Sequence, residues 1–526
     1  MEMKAEWKIC NAAVRLAVLR TVALSLVAVQ CLAATGDFRQ SLSACDRPGN
    51  LRFATIQEDA LCGSLTVAED PAKPDGRQID IAVMLLPAIA EVPEPDPVFY
   101  LAGGPGQSAI ETGPAIIAGL PEIRNTRDVV LVDQRGTGSS GNIACSNEAP
   151  EQRMLSPDAM AEKGLVEMAE CLKTLPADPA MYTTHIAMDD LDAVREALGY
   201  QQINLFGISY GTRAALVYAR QHGSHVRSMI LDGVAPPDIS ILGQFPVDTE
   251  AALQKLFDDC EAATPCHQAF PDLVAEFATL QSRLRASPGL VPFRDPATGE
   301  LQSHYMDDEI LRGVTRQVLY HRTLSVLLPL ALHKAHEGDF QPLLTLGYQF
   351  GGGSSGISAG MMASVFCAED ISRLTGEEPE GRFYRHADNG MLMRVCEFWP
   401  TGEVPDSYFE PVESSVPTVL LSGELDPVTP PKYGEHAHQT LHQSVHIVVP
   451  GVGHNASFTG CLPDVLYGFL GDLQTGKVDS GCTEHLKRPA FFTTPAGPVP
   501  LFDTASEPVA NQSEPLQEVT DGGQGQ

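Results

Sequence analysis

At 526 residues, with a hydrophobic fraction of 43% and a charged fraction of 19%, the chain has room for a large core and the composition of a soluble globular protein. It shows no repeat, collagen or coiled-coil pattern. Its 67 acidic against 35 basic side chains, a formal net charge of −32, make a surface that repels nucleic acid and anionic lipid and favours cationic groups such as protonated amines.

The first 34 residues differ from the rest. Lys4, Lys8, Arg15 and Arg20 precede an apolar run from Thr21 to Ala34, whose small terminal residues suit cleavage near Ala33 or Ala34. About 14 apolar residues fall short of the roughly 20 that cross a bilayer, so 1–34 is expected to be a cleaved export signal rather than an anchor. Gln30 is not the small residue that lipid attachment to Cys31 would need. Ten cysteines remain after the signal, an even number with no C-x-x-C pair, so disulfides in an oxidising compartment, periplasmic or extracellular, are expected. Spacing suggests that neighbours pair in order: Cys45 with Cys62, Cys145 with Cys171, Cys260 with Cys266, Cys367 with Cys396, and Cys461 with Cys482. Sequence leaves other connectivities open.

Strands are expected at Leu65 to Ala68 and Ile79 to Leu86, joined by the polar turn Asp70 to Gly76. Pro97 to Leu101 reads as a short buried strand that runs into Ala102, Gly103, Gly104, Pro105 and Gly106, where backbone N–H groups can approach a ligand closely. Val129 to Val132 is another buried strand, followed by Asp133-Gln134-Arg135-Gly136-Thr137-Gly138. Continuous apolar runs of this kind fit parallel strands covered on both faces. Thr183 or Thr184 can cap a helix carrying Leu191, Val194 and Leu198 on one face, closed by Gly199. Ile203 to Phe206 then leads through Gly207-Ile208-Ser209-Tyr210-Gly211 into a helix that stops at Gly223.

That last stretch is strand, tight turn and helix around a G-x-S-x-G motif, which holds a serine hydroxyl exposed on a strained backbone. Met229 to Leu231 gives one more strand. From about Asp238 to Val416 the pattern turns helical with no strong strand: Ala251 to Cys260, Leu273 to Arg285, Asp308 to Tyr320 and Leu324 to Ala335, interrupted by the loop Gly351 to Gly356. Strands return at Val419 to Leu421 and Val445 to Val449, ending respectively at Asp426 and His454. From 491 the chain is rich in Pro, Ser, Glu, Gln and Gly, and a disordered tail is expected over 491–526.

Ser209, Asp426 and His454 each follow a predicted strand, in the chain order of the α/β-hydrolase arrangement. A serine hydroxyl is a poor nucleophile until a histidine takes its proton, and the histidine needs a carboxylate to fix its tautomer. The oxyanion hole is expected to use the N–H of Tyr210 and that of Gly104, with Gly103 as the alternative. The expected fold is α/β, a mostly parallel sheet flanked by helices. Residues 35–237 and 417–490 form its core and 238–416 an inserted helical cap.

These motifs, together with Asp426-Pro427-Val428-Thr429-Pro430 and Gly451-Val452-Gly453-His454, resemble the proline iminopeptidase and tripeptidyl aminopeptidase family. Cys367-Ala368-Glu369-Asp370, Cys396 and Trp399-Pro400 resemble its secreted tripeptidyl aminopeptidase branch, as does the C-terminal part of the core. Ala102 departs from the histidine that proline iminopeptidases carry before the glycine pair. The resemblance implies hydrolysis of short peptides from the amino end through an acyl-enzyme, with no metal or organic cofactor, and Thr429 supporting Asp426. Asp133 and Arg135 are expected to be structural. An aminopeptidase must also bind a protonated amine, for which Glu369 and Asp370 are the candidates. An esterase on the same triad is the main competing reading, and a non-catalytic binding protein on the same scaffold the second. Dehalogenases and epoxide hydrolases place an aspartate where Ser209 stands.

Overall fold

The computed structural model describes residues 37–45, 59–145, 154–351, 356–385 and 390–498. The expected signal at 1–34, glycine-loop residues 352–355 and the chain beyond 498 lie outside the described residues. No helix among the described residues is long and apolar enough to cross a membrane.

The strands in chain order are β1 (Ser43–Ala44), β2 (Leu61–Ala68), β3 (Gln78–Leu86), β4 (Val98–Leu101), β5 (Val129–Val132), β6 (Ile203–Ile208), β7 (Val226–Asp232), β8 (Gly289–Arg294), β9 (Leu301–Met306), β10 (Thr418–Gly423) and β11 (Ser444–Val449). Nine of them make one sheet in the order β1-β2-β3-β5-β4-β6-β7-β10-β11. The six from β5 to β11 in that order run parallel, and β1 to β3 form an antiparallel edge.

The apolar runs are buried on both sides because alternate residues serve different layers. Phe99, Leu101, Val130, Val132 and Leu205 face the helices Thr184–Ala197 and Tyr210–His222. Tyr100, Leu131, Phe206 and Ile208 face the helices Ala109–Ala118 and Leu462–Asp472. Pairing also levels the strand ends: Ile208 lies opposite Asp232, Asp232 opposite Leu421, and Gly423 opposite Val449. The loops that carry Ser209, Asp426 and His454 therefore leave the sheet at one edge, the carboxyl end where α/β proteins build their sites.

Between β7 and β10 the chain forms a second apolar core. Leu253 and Phe257 of helix Ile241–Ala262, Phe277 and Leu280 of helix Leu273–Ala286, and Leu311 and Val318 of helix Asp308–Leu319 are all buried in it. Three expectations are corrected here. The region contains an antiparallel hairpin, β8 with β9, whose Phe293 and Met306 enter the core while alternate residues face solvent. The helix expected over Leu324 to Ala335 is two, Arg322–Ser325 and Leu328–Glu337, with Pro329 in the first turn of the second, where a missing N–H costs nothing. The expected tail does not start at 491: Phe491 is buried in this core, and the Phe492 N–H donates to the Val326 carbonyl at 3.1 Å.

Ten cysteines form five disulfides, Cys45–Cys62, Cys145–Cys171, Cys260–Cys266, Cys367–Cys396 and Cys461–Cys482, which is the neighbour pairing expected from spacing.

Candidate active site

Ser209 ends β6 with φ 57° and ψ −123°, a left-handed conformation that costs a non-glycine residue on the order of 1–3 kcal/mol. The surroundings hold it there. Its N–H donates to the Asp232 carbonyl at 2.8 Å, and its own carbonyl accepts from the Thr212 N–H at 2.9 Å and the Thr212 hydroxyl at 2.6 Å. A Cβ on Gly207 would run into the Gly211 carbonyl, and one on Gly211 into the Leu101 carbonyl. Only glycine lets strand and helix approach this closely. A Cβ on Gly103 would sit 3.3 Å from the Ser209 Cβ, so the glycine loop after β4 lies directly against the serine. Gly104 is exposed at φ 112°, and Tyr210 opens its helix, where an N–H has no carbonyl a turn earlier to accept it.

Asp426 and His454 meet at 2.7 Å, Oδ2 to Nδ1. Asp426 is buried and fully engaged: Oδ1 accepts the Val428 and Thr429 N–H groups at 2.9 Å each, and Oδ2 accepts the Thr429 hydroxyl at 2.7 Å. Burial by itself would raise its pKa, but the facing imidazole and these donors hold it below the ordinary carboxylate value. Burial would likewise lower His454, yet Asp426, with a smaller contribution from Asp232, holds it above the usual histidine value. A buried imidazole with its Nδ1 fixed on a carboxylate presents Nε2 as a proton acceptor, the preparation a serine hydroxyl needs.

Asp232 escaped the sequence reading, although an acid at the end of β7 was a visible signal. Its carboxylate accepts the Ala456 N–H at 2.8 Å, the Ser457 N–H at 2.9 Å and the Ser457 hydroxyl at 2.5 Å, which fixes the loop after His454. A Cβ on the next residue, Gly233, would lie 3.0 Å from His454 Cε1. The end of β7 thus touches both sides of the site, the serine through the Asp232 backbone and the histidine through the Asp232 side chain and Gly233.

Glu369 and Asp370 are placed differently from the amine-binding expectation. Both are fully buried, and their oxygens are taken by the chain's own donors. Glu369 Oε1 accepts the Thr184 N–H at 2.7 Å, and Oε2 accepts the Thr184 hydroxyl at 2.8 Å together with the Tyr408 hydroxyl. Of the two expected caps, Thr183 turns its hydroxyl to His185 and Thr184 donates its own to Glu369, so Glu369 supplies the acceptor at the N-terminus of helix Thr184–Ala197. Asp370 accepts from Arg213 at 2.5 Å and from the Ile241 N–H at 2.7 Å. Thr184 also bonds the Tyr210 hydroxyl at 2.8 Å. The acid pair consequently braces the helix behind Ser209 and leaves no open carboxylate for a substrate amine.

Asp133 and Arg135 are structural, as expected. Asp133 accepts the Ser108 hydroxyl at 2.6 Å and the Ile110 and Ser139 N–H groups, tying the glycine loop to the loop after β5. Arg135, 0% exposed, makes a two-pronged pair with Asp190 at 2.7 and 2.8 Å. His222, His225 and Asp192 come close enough to hold an ion, but Asp192 already binds Arg195 at 2.6 Å and Tyr218 at 2.7 Å.

The chain belongs to the α/β-hydrolase-fold family, whose model matches residues 96–460. Among curated proteins it is similar to the serine protease Hip1 of Mycobacterium tuberculosis, with 25% identity over 470 residues covering 79% of this chain and 86% of that one. It is similar to the tripeptidyl aminopeptidase of Streptomyces lividans, with 27% identity over 467 residues covering 81% and 84%. Carboxylesterase B of M. tuberculosis matches over a shorter stretch, 29% over 273 residues, 47% of this chain and 52% of that one.

Proposed function

We propose that this chain is an exported serine hydrolase that cleaves short peptides from the amino end through an acyl-enzyme. The observation that carries the chemistry is the Thr429–Asp426–His454 hydrogen-bonded set at the same sheet edge as a serine held at φ 57°. In this reading Ser209 Oγ attacks the scissile carbonyl as His454 Nε2 takes its proton. Asp426 stabilises the resulting imidazolium, and the N–H groups of Tyr210 and Gly104 receive the oxyanion. His454 then protonates the leaving amine, and water, activated by the same imidazole, releases the acyl group.

The two long matches, to a serine protease and a tripeptidyl aminopeptidase over about four fifths of the chain, favour peptides as substrates. The segment between β7 and β10 acts as a cap that admits short peptides and turns folded proteins away. The basic and apolar leader and the five disulfides favour export. The shorter match to a carboxylesterase keeps one second reading, ester hydrolysis at the same site.

The deciding experiment compares kcat/KM on an unblocked tripeptidyl amide, its N-blocked form and a simple acyl ester, with products identified by mass spectrometry. Turnover of the unblocked peptide alone supports the aminopeptidase reading, and turnover of the ester alone replaces it. A serine-directed fluorophosphonate should label Ser209 and fail to label Ser209→Ala. Labelling elsewhere refutes the assignment of the nucleophile.

A further inference from the structure

The proposed cap reaches the site through helix Asp308–Leu319 and the residue after it. Tyr320 stands edge-on to His454, ring centroids 5.1 Å apart and planes at 69°, and its carbonyl accepts the His454 N–H at 3.0 Å. One helical turn earlier, Arg316 places its guanidinium 5.9 Å from the ring of Phe245, on helix Ile241–Ala262. Phe245 and Tyr320 pack against the same small cluster, with Val428 and Tyr433 beneath them. Ser209, Tyr320, Phe245 and Arg316 are half-buried and the His454 imidazole is 7% exposed, whereas Tyr210, Asp426, Val428, Thr429 and Tyr433 are buried.

Arg316 is anomalous in its pairing. Among the described residues it is the one arginine, apart from those on the exposed surface, whose guanidinium meets neither a carboxylate nor a carbonyl. Comparable arginines are satisfied: Arg213 by Asp370, Arg227 by Asp96, Arg312 by Asp308, Arg373 by the Pro237 and Asp238 carbonyls, and Arg488 by Asp259. In a chain with 67 acids to 35 bases, a half-buried arginine left without an acid is not explained by scarcity. A cavity of about 390 Å³ elsewhere is also lined by basic side chains, but there Lys432 pairs with Asp248, His436 bonds Asp238, and Arg373 bonds the Pro237 and Asp238 carbonyls. Beside Arg316 lies a cavity of about 160 Å³ lined also by Met160 and Tyr384 and by Glu309 and Arg312 of the same helix, of which Glu309 shares the cavity without pairing with Arg316. A guanidinium is a planar, permanently charged fork that matches a carboxylate, and partial burial strengthens such a pair.

We propose that Arg316 is a specificity residue that receives a carboxylate of the substrate, either an acidic side chain or the C-terminal carboxylate of a short peptide. The inference rests on the reading of Ser209 and His454 as the reacting pair. One helical turn beyond Tyr320 puts the guanidinium on the order of 10 Å from the imidazole, a reach of about three extended residues. The carboxylate therefore sits two or three residues from the bond that is cut.

The test uses unblocked peptides in matched pairs, Glu against Gln at successive positions in one arm and C-terminal acid against amide in the other. Each pair is run with the wild type, Arg316→Gln and Arg316→Lys, and the ratio of kcat/KM within a pair is read. The wild type should favour the acid member by about 10- to 100-fold in one arm, which identifies the source of the carboxylate. The preference should shrink as salt is raised. Arg316→Gln should abolish it, and Arg316→Lys should keep part of it, because the charge remains and the fork is lost.

A wild type with no preference for the acid member overturns the proposal. So does an Arg316→Gln variant that loses equal activity on both members, which would make Arg316 a latch on Phe245. If the protein cleaves esters and not peptides, the same ratio is read on 4-nitrophenyl hydrogen glutarate against 4-nitrophenyl valerate. Fluorophosphonate labelling keeps the two failures apart. Labelling of Ser209 in wild type and in Arg316→Gln upholds the reacting pair whatever the ratios show, and labelling elsewhere removes that pair and this proposal together.

Discussion

Asp370→Leu tests the brace behind Ser209. The substitution leaves the Arg213 guanidinium, 2% exposed, without its only carboxylate; it keeps the Ile239 carbonyl at 2.9 Å, while its Nε has no acceptor to begin with. Breaking a buried pair by removing one partner costs about 3–5 kcal/mol, because an unpaired charge stays inside. The Ile241 N–H loses its acceptor as well, about 1–3 kcal/mol more. At roughly 1 °C per kcal/mol for a chain of this length, the melting temperature should fall by about 4 °C or more. Arg213 lies one turn past Tyr210, so fluorophosphonate labelling of Ser209 should also slow. Adding Arg213→Met to the variant removes the stranded charge and should recover most of the loss, leaving only the cost at Ile241. Thermal unfolding and labelling rates of the two variants read both effects. A single variant within about 2 °C of wild type, or a double variant no more stable than the single, would refute the reasoning.

Because Asp426 holds His454 above its ordinary value of 6.5, the inactive imidazolium persists to higher pH, so the acid limb of kcat/KM should lie above pH 6.5; a limb well below it would contradict the pairing. Thr429→Val removes one donor to Asp426 and leaves two backbone N–H groups, so kcat/KM should drop about 10- to 100-fold, less than for Asp426→Ala, in a side-by-side assay. Replacing Cys367 and Cys396 by serine opens a loop of 29 residues and should cost about 3–4 kcal/mol on the chain-entropy account, seen as a lower melting temperature in the non-reduced protein. Phe491→Ala should destabilise by about 3–5 kcal/mol, since the ring is buried in the apolar core formed between β7 and β10; an unchanged melting temperature would return 491 to the tail.

The sequence by itself determined whatever depends on neighbours along the chain. Gly207 and Gly211 are legible around Ser209 because the elbow is local: each glycine is demanded by backbone within a few residues or by the adjacent strand. The strands were legible for the same reason, since β4 and β5 are apolar throughout, and β6 is apolar but for Asn204, as strands covered on both faces require. Strand-end positions then pointed to Asp426 and His454, and close spacing to the cysteine pairs. The tertiary structure decided everything set by partners far apart in sequence. Glu369 and Asp370 read as an open acid pair at a helix end, but their donors are Thr184 and Arg213, 185 and 157 residues away. The β8–β9 hairpin was missed because its half-exposed pattern has weak periodicity and is fixed only by the helices that Phe293 and Met306 pack against. The same holds for Phe491 and Phe492, a short apolar pair ahead of a polar stretch, placed only by the core they pack against. Arg316 shows the limit most clearly: an arginine on an amphipathic helix is ordinary in sequence, and only the fold reveals that, among the described residues, no carboxylate pairs with it, although Glu309 lines the same cavity.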